Sequence, residues 1–319
     1  MRRTVLISLV MAGMLSLVVR AYQQPPQGRG GQPAAPQAAP SAAALKVDKI
    51  KDNLYVIGGA GGGNTAVFIT GEGVTVVDTK LPGWGQPLIE KIKTITDRPV
   101  VRIINTHTHF DHVSGNVDFP ATVDIVTHEN TKKYMQEANP VFGLQTGPQP
   151  NLFTEHGGRG LPKRTFKKDL TIGKGADQID LRYFGCAHTG GDAWVIFTGL
   201  RTMHVGDVFA GKDLPIMDRN NGGCGVGYAD TIAKGAAAVK NVDTIITGHS
   251  ATTMTMADLR QYGDFVRDFA TDARAAKTSG KSIDEFVNNW KPAAKYAGYA
   301  QPQAGRVGSD AQVVWEETR

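Results

Sequence analysis

The segment His107-Thr108-His109-Phe110-Asp111-His112 constrains this chain more than any other. It sets four metal-binding donors within six residues, directly after the apolar run Val100–Asn105. Imidazole and carboxylate are typical zinc ligands, and a strand end presents such a loop on a rigid rim. Alternation along the segment lets His107 and His109 point one way while Asp111 and His112 point elsewhere. Four donors are too many for one catalytic ion that must keep an open position, so the spacing predicts two ions sharing the loop. Three further donors stand where an apolar run stops beside glycine: His188 in His188-Thr189-Gly190-Gly191-Asp192, Asp207 in Val205-Gly206-Asp207, and His249 in Thr247-Gly248-His249. A carboxylate such as Asp207 can bridge two cations held about 3.5–4 Å apart.

The 319 residues are 41% hydrophobic and 20% charged, a globular balance that excludes a wholly disordered or collagen-like chain. Two cysteines exclude a disulfide scaffold and a multi-cysteine zinc finger. Cys186 and Cys224 can pair in an oxidising compartment, and that point stays open. The formal charge is +5, but Arg2, Arg3 and Arg20 fall within residues 1–21, where no acidic residue stands. The remainder is close to neutral, which argues against a nucleic-acid partner and for a small-molecule substrate.

Residues 1–21 carry two arginines and then the apolar run Val5–Val19, shorter than the roughly 20 residues of a membrane-spanning helix. Val19 and Ala21 suit a cleavage site before Tyr22, so 1–21 is expected to be a signal peptide. The expectation that follows is a periplasmic or secreted protein with no stable membrane insertion after cleavage. Residues 22–44, rich in Pro, Gln and Ala, are expected to be a disordered tether. The catalytic domain is expected over 45–319. Short apolar runs there predict strands at Leu54–Val56, Ala66–Ile69, Val74–Asp78, Val100–Asn105 and Asp124–Thr127, and near 178–184, 193–198, 202–206 and 243–247. Helical periodicity covers Leu88, Ile89, Ile92 and Ile95, then 129–138, 256–276 and 282–297. The mixture predicts one α/β domain.

With Val77-Asp78-Thr79, Gly206-Asp207 and Gly248-His249 added to the two histidine motifs, residues 45–319 resemble the metallo-β-lactamase superfamily. The resemblance implies a four-layer αββα sandwich with the site at one edge of two sheets. It implies a first metal on His107, His109 and His188, a second on Asp111, His112 and His249, Asp207 bridging, and Asp78 supporting the loop from behind. True β-lactamases with a cysteine ligand carry Cys at the position of Asp207 and Lys three residues later, where this chain has Ala210. The bridging Asp207 looks more like the hydroxyacylglutathione hydrolases and acyl-homoserine lactonases. What this implies is a dinuclear hydrolase holding two Zn2+, or iron or manganese, whose bridging hydroxide attacks an ester, lactone or thioester. A β-lactamase is the main alternative. A mononuclear iron persulfide-type dioxygenase and a non-catalytic metal-binding protein are the others.

Asp111 and Asp207 are the expected catalytic carboxylates, Asp111 by orienting the nucleophile and carrying a proton. Phe142 and Phe153, in the irregular stretch 140–163, are candidate apolar substrate contacts. Lys212 and Tyr228, downstream of Asp207, are candidates for polarising a carbonyl. His128 is expected to cap or pack, His156 to be solvated and His204 to be structural. Gly61-Gly62-Gly63 lacks the Lys-Ser/Thr of a phosphate loop and is read as a turn near the site rim.

Overall fold

The computed structural model describes residues 40–144 and 151–319. The expected signal peptide, most of the expected tether and residues 145–150 of the long stretch lie outside them. Ser41 caps a single turn at Ala42–Ala44, and the first strand, β1, spans Leu45–Lys51.

Among the described residues two sheets form. The first contains β1, β2 (Leu54–Gly59), β3 (Thr65–Thr70), β4 (Gly73–Val77), β5 (Val100–Ile104), β6 (Asp124–His128) and β7 (Arg164–Phe166), in chain order. Its pairs are antiparallel as far as β4 and parallel from β4 to β7. The second contains β8 (Asp169–Ile172), β9 (Ile179–Arg182), β10 (Trp194–Phe197), β11 (Thr202–His204) and β12 (Thr244–Ile246), and only β11 and β12 run parallel.

Period-two alternation assigns each side chain to a layer. In β10, Val195 and Phe197 face the first sheet, while Trp194 and Ile196 face outward under helices. In β3, Ala66 and Phe68 point into the inter-sheet core and Val67 points out. The rings of Phe68 and Phe197 meet across that core, 5.1 Å between centroids. Sheets buried on both faces read as unbroken apolar runs, which is why these strands stood out in the sequence.

Helix α1 (Gly85–Lys93) covers the outer face of the first sheet with Leu88 and Ile92. Two short helices, α2 (Phe110–Val113) and α3 (Glu129–Glu137), follow β5 and β6, and α4 (Leu152–Glu155) is a single turn. The outer face of the second sheet lies under α5 (Tyr228–Ala238), α6 (Met256–Thr278), α7 (Ile283–Asn289) and α8 (Ala304–Glu317). The layers are therefore helix, sheet, sheet, helix, the αββα order. No helix of the described residues is long and apolar enough to cross a membrane.

Two expectations need correction. The helix expected over 282–297 stops at Asn289, and Trp290 turns extended ahead of Lys291-Pro292. Proline disfavours helical backbone at the residue before it and cannot donate within a helix. A further helix, α8, follows it; its apolar Val307, Ala311 and Val314 recur at helical spacing but are diluted by glycine and polar residues.

Gly235 places α5 against the second sheet, because a Cβ there would overlap Cη2 of the buried Trp194 ring. Alanine at an interior helix site gains about 1 kcal/mol over glycine, whereas overpacking a core costs about 1–3 kcal/mol. Gly235→Ala should therefore lower stability by about 1 kcal/mol and Gly235→Val by more, read from urea unfolding midpoints. A stabilised alanine variant would mean that α5 can retreat from Trp194 freely.

Candidate metal centre

Strand direction gathers the donors at one edge. β4 and β5 run parallel, so the segments after Val77 and Ile104 leave the first sheet on the same side. β11 and β12 run parallel as well, and Asp207 and His249 follow their ends. β10 is antiparallel to β11, so the loop entering β10 brings His188 to that edge. The loop after β5 is not a continuing strand. His109 is the N-terminal flank of α2, which carries Asp111 and His112.

Four of the five imidazoles, those of His107, His109, His112 and His188, are anchored through the outer nitrogen. His109 donates from Nε2 to Oδ2 of Asp218 (2.8 Å), and His188 donates from Nδ1 to the Ile216 carbonyl (2.8 Å). That leaves Nδ1 of His109 and Nε2 of His188 as bare lone pairs, buried and only 2.9 Å apart. His112 donates from Nδ1 to Oδ2 of Asp78 (2.8 Å) and turns Nε2 toward Nε2 of His249 at 3.3 Å. His107 uses Nδ1 on the Thr106 hydroxyl (3.0 Å), which itself donates to Asp78 (2.6 Å), and its buried Nε2 has no partner. Asp207 Oδ1 is likewise buried and unpartnered by hydrogen bond. Nitrogens aimed at one another in a buried cluster must share a proton or a metal ion, and a His/Asp donor set this dense suits the metal. The donors fall into His107, His109, His188 and Asp207 on one side, and Asp111, His112 and His249 on the other. Asp207 touches both, with its carboxylate 3.6 Å from Nε2 of His188, 3.4 Å from Nε2 of His112 and 3.2 Å from Nε2 of His249.

The electrostatics point the same way. Burial, then the neighbouring imidazoles, holds His107 well below its ordinary range, and burial with His109 pushes His188 down to about 3. Burial acts in the same direction on His112, but Asp111, Asp207 and Asp78 outweigh it and raise the ring well above its ordinary value. Asp207 is the main cause of the upward shift at His249. The carboxylates thus create a field that draws positive charge to the inward nitrogens of His112 and His249.

Asp78 is the hub behind the loop. It accepts from the Thr106 amide (2.8 Å), the Thr106 hydroxyl and His112, and is fully buried in a left-handed backbone conformation. Two outer partners carried no signal in the sequence. Asp218 accepts from His109, from the Phe142 amide (2.9 Å) and from Asn221 (2.6 Å). In the sequence it opens Asp218-Arg219-Asn220-Asn221-Gly222, which reads as any polar turn. Lys80 is wholly buried and donates to the Gly63 carbonyl at 2.7 Å; burial lowers its pKa to about 8 against the pull of Asp111 and Asp78. A disulfide joins Cys186 to Cys224.

The candidate substrate contacts separate. Phe153 is buried and lines a cavity beside the loop. Phe142 lies outside that lining, with the Arg219 guanidinium stacked 3.8 Å over its ring. Lys212 is held by Asp258 at 2.8 Å. Tyr228 is fully buried and donates to the backbone carbonyls of Asp207 (3.1 Å) and Val208, so it braces Asp207 from behind and cannot polarise a substrate carbonyl. His128 caps α3 and stacks on Tyr183, His204 receives the Gly206 amide, and His156 is exposed. The Gly61–Gly63 turn lies on the metal loop, where the Gly63 amide donates to the backbone carbonyl of Asp111 (3.1 Å).

The family model described as the metallo-beta-lactamase superfamily matches residues 58–272. In structure the chain is similar to the stereoselective inverting sec-alkylsulfatase Pisa1 from Pseudomonas sp., at 13% identity and a TM-score of 0.65, over 86% of this chain and 50% of that one. The chain thus spans about half the length of the alkylsulfatase it matches. It is also similar to a metallo-beta-lactamase from Pontibacter korlensis, at 19% identity and a TM-score of 0.56, over 70% of this chain and 99% of that one. DIM-1 metallo-beta-lactamase follows at 16% identity and a TM-score of 0.55, over 70% and 97%. At such identities the likeness speaks for a shared fold.

Asp218→Asn keeps the size but sets an amide donor against either His109 or the Phe142 amide. Losing the outer partner of a histidine ligand typically costs 10–100-fold in metal affinity. Titration against a fluorescent zinc chelator should show a loss on that order, with an unchanged circular dichroism spectrum. Wild-type affinity would mean that Asp218 does not orient His109.

Proposed function

The chain belongs to the metallo-beta-lactamase superfamily, and from that premise we propose that it is an exported hydrolase of esters, lactones or thioesters that works with two zinc ions. Iron and manganese suit the same His/Asp donor set. The observation that carries the reading is the pair of bare nitrogens on His109 and His188, 2.9 Å apart with both outer N–H groups already committed. His107, His109 and His188 would hold one ion, Asp111, His112 and His249 the other, and Asp207, the carboxylate in reach of both groups, would bridge.

Bound there, two dications supply an acidified water and a Lewis acid for the developing oxyanion. The rest of the chemistry falls to the chain. Asp111 is a fifth exposed, with Oδ2 3.4 Å from Nε2 of His249 on the open side of the cluster. From there it orients the attacking water and receives its proton for the leaving atom. Asp78, Asp218 and the Ile216 carbonyl keep His112, His109 and His188 in fixed tautomers, so these three need not reorganise during the reaction. Asp207 is braced by Tyr228 at its own carbonyl, which resists movement of the bridge.

Export draws support from the Cys186–Cys224 disulfide, since such bonds persist in oxidising compartments. Mass spectrometry of protein recovered outside the cytoplasm should find an N-terminus near Tyr22. An intact Met1 in that fraction would overturn the signal-peptide assignment.

Purified, zinc-loaded protein should hydrolyse a thioester, an ester or a lactone faster than a chromogenic cephalosporin or a secondary alkyl sulfate, and a chelator should abolish the rate. The Asp207→Ala variant should fall from two metals per chain toward one. A dominant cephalosporin or sulfate rate would overturn the substrate class. One iron per chain with no hydrolysis would replace this reading by the dioxygenase.

A further inference from the structure

We infer that the cavity flanking the metal loop is a binding pocket for an uncharged alkyl chain of the substrate, an inference that rests on the hydrolase reading above. The cavity has a volume of about 440 Å³, within the 300–1,000 Å³ usual for small-molecule sites. Its apolar wall is built by Phe110, Val113, Met135, Val141, Leu152 and Phe153. Thr108 and His109 complete it on the side of the metal centre, so the cavity and the centre share one loop.

Three features argue for an alkyl chain. Phe110, between His109 and Asp111, is one of few large apolar side chains left exposed among the described residues, at 39%. Phe110 belongs to the cavity lining, so its exposed ring is part of a contiguous apolar surface rather than an isolated side chain. The amides of the wall are largely committed to the protein: Asn151 accepts from Phe153 and Thr154 and donates to Met135 and Gln136, Asn139 donates to Glu137 and to the Asn220 carbonyl, and Asn221 donates to Asp218. They fix the shape of the cavity, and the other uncharged polar groups of the lining are the hydroxyls of Thr108, Ser114 and Tyr134. Glu155 is the single carboxylate of the lining, and it is exposed. A chain ending in a carboxylate is repelled there, and an uncharged one is not. A substrate whose scissile carbonyl lies at the open side marked by Asp111 and His249 would pass its chain across Phe110 into this cavity.

The test uses the full zinc-loaded protein and two series of esters, one lengthened on the acyl side from acetyl to decanoyl and one on the alcohol side as acetates. In one of the two, kcat/KM should rise about fourfold per methylene and then level off, the fold-change equivalent to roughly 0.8 kcal/mol per buried CH2. An ω-carboxylate should cancel the rise. Leu152→Glu should flatten the rise, and Ala138→Phe should level it off at a shorter chain. Both variants are checked for wild-type metal content and melting temperature. The responding series identifies which half of the ester enters the cavity. Binding of the alkanamides from acetamide to decanamide, measured by calorimetry, gives a readout free of turnover. Hydrolysis with no dependence on length in either series would overturn the pocket and leave the hydrolase standing. Length-dependent amide binding that Leu152→Glu abolishes, with no ester hydrolysed, would keep the pocket and overturn the hydrolase.

Discussion

Two imidazole nitrogens face each other in a buried cluster, and much of the structure is arranged to keep them there. Left alone, Nδ1 of His109 and Nε2 of His188 repel, and neither ring can turn without surrendering its outer hydrogen bond. Burying an unpaired polar atom costs about 1–3 kcal/mol, and this cluster holds two, Nε2 of His107 and Oδ1 of Asp207. Only a cation removes that cost at every donor together. The fold therefore spends stability on the cluster and recovers it on metal binding, the usual coupling of metal affinity to folding.

Holding such a cluster takes close backbone approach. A Cβ on Gly63 would overlap the His112 ring, and one on Gly248 would overlap Oδ1 of Asp207, so both turns come nearer than any side-chain-bearing residue allows. Lys80 adds charge to this support. Its buried ammonium holds the Gly63 carbonyl, which keeps the glycine turn seated on the metal loop. The left-handed backbone at Asp78 and Lys80 is the strain accepted for this placement.

The donors themselves were legible in the sequence because the chemistry is compressed into six residues and each other donor follows an apolar strand beside glycine. The layer order was legible too, because strands buried on both faces read as apolar runs. The outer partners were not. Asp218 acts on His109 across a separation of 109 residues, and nothing local distinguishes it from a turn aspartate. Tyr228 was misjudged for the same reason: nearness in sequence to Asp207 suggested the substrate side, whereas α5 carries the ring underneath it. Lys80 follows Asp78-Thr79 and looks like a surface lysine until the glycine turn closes over it. Long-range hydrogen bonds are set by packing, and packing leaves only a weak imprint on a single sequence.

The segment carrying Asp218 and Ile216 is irregular and has no strand ladder to hold it, so its position has to be imposed from outside. The Cys186–Cys224 disulfide ties it to the loop of His188. From the other side, α8 grips it three times: Asp310 accepts from the Met217 amide, Glu316 pairs with Arg219, and Glu317 accepts from the amides of Gly225 and Val226. Burial holds the Asp310 carboxyl well above the usual carboxylate range. Because α8 lies beyond residues 58–272, the region matched to the superfamily, the tautomers of two central histidines depend on a helix outside it. The wall of the apolar cavity shares this dependence, since Asn221 belongs to the same segment and lines it. One braced loop thus sets both the orientation of the candidate ligands His109 and His188 and one side of the neighbouring cavity, which is how a helix that touches neither can influence both.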